Sequence, residues 1–265
     1  MPATALSARP DDLSPAALLA RLRAGTVRVH AITNAAAGVL TANLLLAAGA
    51  VPSLTVSAAE VADFARRSRA LLVNLGTLDD ERRAAIPVAM AAAREAGRPV
   101  VLDPVFVEAS PGRLAFARDC LAAQPAVLRL NAAEFTALAG AEASPARVAA
   151  FARAHRTVVA LTGATDLVTD GVRGLAVANG HPLMAKVTAM GCAATALVAG
   201  FVALAPDRPV EAAAAALAVI GVAGEVAGET ARGPGSFVPA FLDALHGLDA
   251  ETLAARTRMS EEIAP

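Results

Sequence analysis

Short apolar runs alternate with longer stretches of helical periodicity over the first 160 or so residues of the chain. Residues 27–32, 51–56, 70–75, 99–102, 127–130 and 158–161 each read as a short strand. Most are apolar at successive positions rather than alternate ones, the pattern of parallel strands covered by helices on both faces. Helix starts are legible between them. Ser14-Pro15 and Ser144-Pro145 each set a capping hydroxyl before a proline at the first helical position. Ser57 followed by Glu60 predicts a capping box. Gly25, Gly49, Gly97 and Gly140 stand where such helices should stop. After Leu161 the pattern changes: residues 167–169 and 174–178 predict a hairpin around Asp170-Gly171, followed by helices from about Cys192 onward. No repeat or linker interrupts the pattern. The expectation is one βαβ-type domain over residues 1–265 with a helical C-terminal part.

Composition tests that picture. Hydrophobic residues make up 56% of the chain and mean hydropathy is +0.53, values that first suggest a membrane protein. Much of the content is alanine, which favours helices but drives membrane insertion weakly. The most apolar stretch, 192–205, is shorter than the roughly 20 residues a bilayer span needs. The stretch 212–223 is shorter still and is flanked by Glu211 and Glu225. Both read as helices buried against a sheet, with no membrane as partner. Net charge is −1 with both signs interspersed, and Trp and Tyr are absent, so neither a basic patch nor a stacking platform for nucleic acid is present. The first 25 residues carry Asp11, Asp12 and several arginines without an apolar signal region, so export is not expected. Cys120 and Cys192 lack metal-ligand spacing, which fits a reduced, cytoplasmic protein.

Absent motifs narrow the chemistry. There is no G-x-x-x-x-G-K-[ST], and Lys186 is the only lysine, which excludes a P-loop kinase. No H-E-x-x-H, C-x-x-C or G-x-S-x-G occurs, and His30, His155, His181 and His246 form no cluster in sequence. Four local signals remain. Val187-Thr188-Ala189-Met190-Gly191-Cys192 precedes an apolar helix, so free N–H groups and the positive helix end would form an anion site there. Cys192 in that first turn would have a lowered thiol pKa suited to a base; the plainer reading is a buried structural cysteine. Asp103-Pro104 follows a strand directly, where open α/β sheets bind ligands, and also reads as a turn cap. Asn131 and Glu134 read as a capping box or as a pair holding Mg²⁺ largely through water. Thr162-Gly163 serves as a phosphate or ribose contact or merely as a turn.

In order, these residues resemble the hydroxyethylthiazole kinases of the ribokinase-like superfamily. The resemblance is carried by His30-Ala31-Ile32-Thr33-Asn34, Asn74-Leu75-Gly76-Thr77, Leu102-Asp103-Pro104-Val105, Arg113, Asn131-Ala132-Ala133-Glu134 and Thr162-Gly163. It continues through Gly180-His181-Pro182, Lys186-Val187-Thr188, Gly191-Cys192 and Gly233-Pro234-Gly235-Ser236-Phe237, and covers roughly residues 25 to 245. It implies an α/β fold: a ribokinase-like three-layer sandwich, with a mostly parallel central sheet and helices on both faces. It also implies ATP and Mg²⁺ as cosubstrates, a homotrimer with sites between subunits, and a small thiazole alcohol as phosphoryl acceptor. Position by position, it makes Cys192 the candidate base and the backbone at Ala189, Met190 and Gly191 the anion hole. Arg113, Thr162 and Gly163 are then expected at ATP, and Asp103, Glu134 and Asn131 at the metal, largely through water. Asn34, Leu54 and Ala189 are expected at the substrate, with Leu54 where the family usually has methionine.

The chain departs from the family at definite places. Members usually have Gly-Thr-Gly-Cys where this chain has Ala189-Met190-Gly191-Cys192, and glycine permits backbone angles that alanine resists. Phe106 and Glu108 replace a glycine-rich stretch, and Ala35-Ala36-Ala37 replace larger residues after Asn34. Two alternatives follow: a kinase of the same fold for a related, larger alcohol, and a catalytically impaired ligand-binding homologue. Hydroxymethylpyrimidine kinases and ATP-dependent hydrate dehydratases of similar fold usually carry aspartate where Cys192 stands.

Overall fold

The computed structural model describes residues 11–262; the first ten residues, part of the segment read for an export signal, lie outside it. Nine strands are present among these residues: β1 (Arg28–Ile32), β2 (Val51–Ser53), β3 (Ala70–Asn74), β4 (Val100–Asp103), β5 (Val127–Asn131), β6 (Val158–Thr162), β7 (Asp166–Thr169), β8 (Gly174–Val177) and β9 (Met259–Glu262). They form one sheet in the order β2-β1-β3-β4-β5-β6-β7-β8-β9. β1 to β6 pair in parallel, and β7, β8 and β9 add on antiparallel. The switch follows from chain length, since the link from β6 to β7 is too short for the crossover that a parallel neighbour needs.

Eleven helices among the described residues cover the sheet. On one face lie α1 (Pro15–Ala24), α2 (Gly38–Ala48), α8 (Met190–Val202), α9 (Pro209–Thr230), α10 (Pro234–Gly247) and α11 (Ala250–Arg256). On the other lie α3 (Val61–Arg67), α4 (Asp80–Glu95), α5 (Pro111–Ala122), α6 (Ala132–Ala139) and α7 (Pro145–His155). The two-residue period of the strands divides the core: Val101 and Val127 join the first cluster, Leu102 and Leu128 the second. The three-layer sandwich expected from the sequence is the observed architecture. α9 is long and apolar enough to cross a membrane, with mean hydropathy 1.8, yet 83% of its most apolar stretch is buried within the protein. A helix that is apolar all round serves here as core.

Several local expectations hold. Ser14 and Ser144 cap α1 and α7 through their side chains, each followed by proline. Others fail for physical reasons. Ser57 and Glu60 form no capping box, because α3 begins only at Val61 and Glu60 accepts instead from the Thr55 hydroxyl. β2 ends at Ser53 rather than reaching Val56; it is the sheet's edge strand and contains Pro52, which has no N–H for a ladder. The C-terminal part is not all helical, since β9 pairs with β8.

His30 on β1 couples the edge of the sheet to pH. Its ring is fully buried, with Nδ1 2.9 Å from Ser53 Oγ, Nε2 without a partner and Phe64 at 5.6 Å between ring centres. Burial pushes the imidazole down to about 4, against upward pulls from the backbone near Thr55 and Ser53 and from Glu60. Between that value and the ordinary 6.5 the unfolded chain binds the extra proton. His30 therefore contributes stability that is lost as pH falls through this window, up to roughly 3 kcal/mol. Urea unfolding of wild type and His30→Gln at both ends of the window should show a smaller acid loss in the variant. Equal losses would disprove the assignment.

Candidate active site

The carboxyl ends of the parallel strands bring the chemistry-bearing residues to one edge of the sheet. Asn34 follows β1, Asn74 ends β3, Asp103 ends β4, Asn131 ends β5 and Thr162 ends β6. Strand register sets Asn74 opposite Asp103 and Asn131 opposite Thr162. This edge is where open α/β sheets place ligands.

A chain of buried hydrogen bonds runs across three strands into α8. Asn34 Nδ2 donates to Asn74 Oδ1 at 3.1 Å, and Asn74 Nδ2 donates to Asp103 Oδ2 at 2.8 Å. Thr195 Oγ1 lies 2.9 Å from Asp103 Oδ2 and 2.9 Å from the Gly191 carbonyl, so one hydroxyl proton serves two acceptors. Gly76 is required beside this chain: a β-carbon there would sit 2.6 Å from Asn34 Cβ. Asp103 is fully buried and its Oδ1 has no partner. Burial pushes its carboxyl up, opposed by the Arg129 charge and by the bonds from Thr195 and Asn74.

α8 begins beside Asp103 with its N-terminus uncapped by any side chain. Ala189 occupies the left-handed region at φ 64° and ψ 10°, the conformation for which glycine is suited. The Met190 N–H donates to the Val187 carbonyl at 3.3 Å, and its side chain is buried in the core. Of the backbone expected at the anion hole, the Met190 N–H is therefore engaged, while the N–H groups of Gly191 and Cys192 lie in the first turn, which a helix start leaves free. The expectation of a lowered Cys192 thiol is wrong. Burial, and then the charge of Asp103, push it up to about 11, against the Asn74 and Asn34 amides and Arg129. The helix dipole is a fractional charge, and desolvation together with a buried carboxylate outweighs it.

Asn131 and Glu134 form the capping box of α6, with both halves present. Glu134 Oε2 accepts from Asn131 N at 2.8 Å and Oε1 from Phe106 N at 3.2 Å. Glu134 thereby pins the turn after β4, where Phe106 takes φ 57°; the Phe106 and Glu108 side chains are exposed. Burial is the main cause of the upward shift of Glu134. No group of three or more His, Cys, Asp or Glu among the described residues is arranged to hold a metal ion. The donor set, one unpartnered Asp103 oxygen and the backbone-bound Glu134, fits hydrated Mg²⁺ shared with a ligand's phosphates rather than an all-protein cage.

A cavity of about 660 Å³ opens beside Gly191, lined among others by Arg129, Thr162, Gly163, Asp166 and His181. Thr162 Oγ1 donates to the Leu130 carbonyl at 3.3 Å, and the Gly163 N–H is taken by Asp166 Oδ1 at 2.9 Å. Arg113 does not line this cavity; its guanidinium donates to the Val105 carbonyl at 2.9 Å. Leu54, one residue past β2, packs against the helical core at the sheet's edge. Sequence reasoning missed Asn74, Arg129, Asp166 and Thr195 as site residues. Arg129 had a signal, being the one charge within the apolar strand Val127–Asn131. Thr195, one helical turn beyond Gly191, had none apart from its spacing. Burial pushes Asp166 up to about 6.

The model of the hydroxyethylthiazole kinase family matches residues 19–251. A hydroxyethylthiazole kinase of Granulibacter bethesdensis is 48% identical over 254 residues, covering 91% of this chain and 92% of its own. One from Klebsiella pneumoniae is 47% identical, covering 89% of this chain and 98% of its own. Among solved structures, the hydroxyethylthiazole kinase protein of Pyrococcus horikoshii superposes with a TM-score of 0.89 at 36% identity, covering 94% of this chain and 98% of its own. The pyridoxal kinase of Staphylococcus aureus, at 15% identity and TM-score 0.67 over 90% of this chain and 99% of its own, shares the fold alone.

Two measurements check the geometry at the start of α8. Left-handed alanine costs about 1 kcal/mol relative to glycine. Ala189→Gly should therefore raise the melting temperature by roughly 2–4 °C, and an unchanged or lower value would contradict the strained start. With its thiol near 11, Cys192 should alkylate about 100-fold more slowly at mildly alkaline pH than an ordinary cysteine. Iodoacetamide labelling followed by peptide mass should still accelerate about tenfold per pH unit around pH 9. A plateau near neutrality would show a thiolate already formed.

Proposed function

The chain belongs to the hydroxyethylthiazole kinase family, and from that premise we propose that it transfers the γ-phosphoryl group of ATP to the hydroxyethyl oxygen of 4-methyl-5-(2-hydroxyethyl)thiazole, the salvage step that returns this precursor to thiamine synthesis. The single observation that carries the reading is the Asn34–Asn74–Asp103–Thr195 chain, which delivers a buried carboxylate to an uncapped helix start beside a cavity large enough for a nucleotide. The acceptor oxygen bonds to the γ-phosphorus as the bond to the β-phosphate oxygen breaks. ADP leaves, and the hydroxyl proton is given up. Such a reaction is chiefly positioning and charge neutralisation, and this site is built to supply both.

The residues divide the work. The Gly191 and Cys192 N–H groups receive phosphoryl oxygens. Asp103, through its unpartnered oxygen, would hold hydrated Mg²⁺, with Glu134 and Asn131 contributing through water; the ion would supply neutralisation of phosphate charge. Thr162 and Gly163 border the nucleotide cavity, and Arg113 reaches ATP by leaving the Val105 carbonyl. Asn34 and Leu54 face the thiazole side. Cys192 takes the hydroxyl proton; burial first and then the Asp103 charge hold its thiol up, so it acts as base most readily at alkaline pH.

The unit is one domain working in the cytoplasm as a homotrimer. Supporting self-association, Val39 and Leu46 lie seven residues apart on α2 and are 78% and 58% exposed, near the open edge strand β2. A second reading, a kinase for a related alcohol, draws on Ala35 and Ala36, which are exposed beside Asn34, whereas Ala37 is buried at the start of α2.

ADP release with Mg-ATP and the thiazole alcohol tests the proposal. Wild type should turn over, and its rate should climb with pH as the base deprotonates. Cys192→Ala should lose about 100-fold and lose that climb. A folded wild type that works only on pyrimidine alcohols would favour the second reading. Full activity in Cys192→Ala would remove the cysteine from the base role.

A further inference from the structure

A second cavity, also of about 660 Å³, opens at the opposite edge of the sheet, where α4 and α5 end and β4 starts. It shares no lining residue with the cavity beside Gly191. Met90, Phe116 and Cys120 give it an apolar wall. Arg94, Arg98 and Asp119 also line it, yet none of these side chains has a hydrogen bond or ion pair among the described residues. Arg98 Nε is shut off from solvent as well as unpartnered, and an unmet buried donor is costly. The acceptors nearby are already taken. At the end of α4, the carbonyls of Ala92, Ala93 and Arg94 accept from backbone N–H groups of Ala96, Arg98 and Gly97. At the end of α5, those of Cys120 and Leu121 accept from Ala123 and Gln124. Glu95 is paired with Arg66. Arg83 adds positive charge over the Phe116 ring, 5.4 Å from its centre. Against these cations the lining offers one carboxylate, Asp119, and it is exposed.

We propose that this cavity is a second ligand site, for a small organic anion with a flat apolar body and one acid group. Arg98 receives the acid group, and Met90 and Phe116 cover the body. The volume suits a small molecule, and a few polar groups on an apolar wall are what such sites present. A guanidinium fork meets two oxygens of a carboxylate, sulfonate or phosphate at once, and this one has its donors unspent. A neutral apolar ligand would leave Arg98 Nε unmet, and a cation would face the arginines. Asp119 stands in water, so its repulsion is screened. The site is separate from phosphoryl transfer: β4 runs from Val100 at this cavity to Asp103 at the other, about 10 Å of strand.

The probe is anilinonaphthalene sulfonate, an aromatic anion that fluoresces when bound, titrated with saturating Mg-ATP present and no alcohol. Wild type should bind it, phenyl phosphate should displace it, and benzylammonium should not. Arg98→Met removes the cation and keeps the apolar stem. Ala123→Trp keeps the cation and fills the cavity. Each should weaken dye binding by about tenfold or more. Arg98→Met should melt no lower than wild type, because the donor it removes has no partner in the protein. If it does melt lower, Ala123→Trp decides alone. Unchanged dye affinity in either folded variant would overturn the site. So would no binding by wild type, displacement of the dye by Mg-ATP, or displacement by benzylammonium as readily as by phenyl phosphate.

Discussion

A carboxylate with no access to solvent governs this site. Burying Asp103 at the end of β4 is costly unless its charge is met, and only one of its oxygens is met by protein groups. Asn74 reaches it because parallel register sets the ends of β3 and β4 side by side. Thr195 reaches it because α8 starts where its first turns overlie the same edge. The demand for those partners fixes the lateral order of Asn34, Asn74 and Asp103. It also leaves the second oxygen without a protein partner.

The other half of the site is a helix start held in an unusual backbone conformation. Ala189 turns the chain through the left-handed region, and α8 then runs straight into the core with apolar and small residues on every side. The residues after Met190 keep their N–H groups open, while Met190 itself is anchored to Val187 and the core. Arg129 and Asp103 approach from the sheet with opposite charge. Positive and negative groups thus meet at the start of α8, in a chain whose family transfers phosphoryl groups to an alcohol.

The sheet was legible because its strands are apolar on both faces and its helices carry clear stops, as at Gly49 and Gly140, both in left-handed C-caps. Ser14 and Ser144 declared their helices for the same local reason. Failures came where a distant partner decided the outcome. Glu60 left the capping box for Thr55, β2 stopped early as an edge strand, and β9 found β8 across eighty residues of chain. The Cys192 thiol was misjudged because its burial comes only with the fold, and because the carboxylate beside it is eighty-nine positions away in sequence.

The sequence by itself determined the layered α/β fold, the strand ends that carry Asp103, Asn131 and Thr162, and the helix that begins near Cys192. Periodicity, caps and short motifs are properties of neighbouring residues, so neighbours suffice to specify them. Only the tertiary structure decided what those residues face. It set Asn74 against Asp103, brought Arg129 to Gly191, and pushed the cysteine thiol up rather than down. Charges and desolvation act through space, and in a parallel sheet the groups that share a site are separated by whole helices of chain.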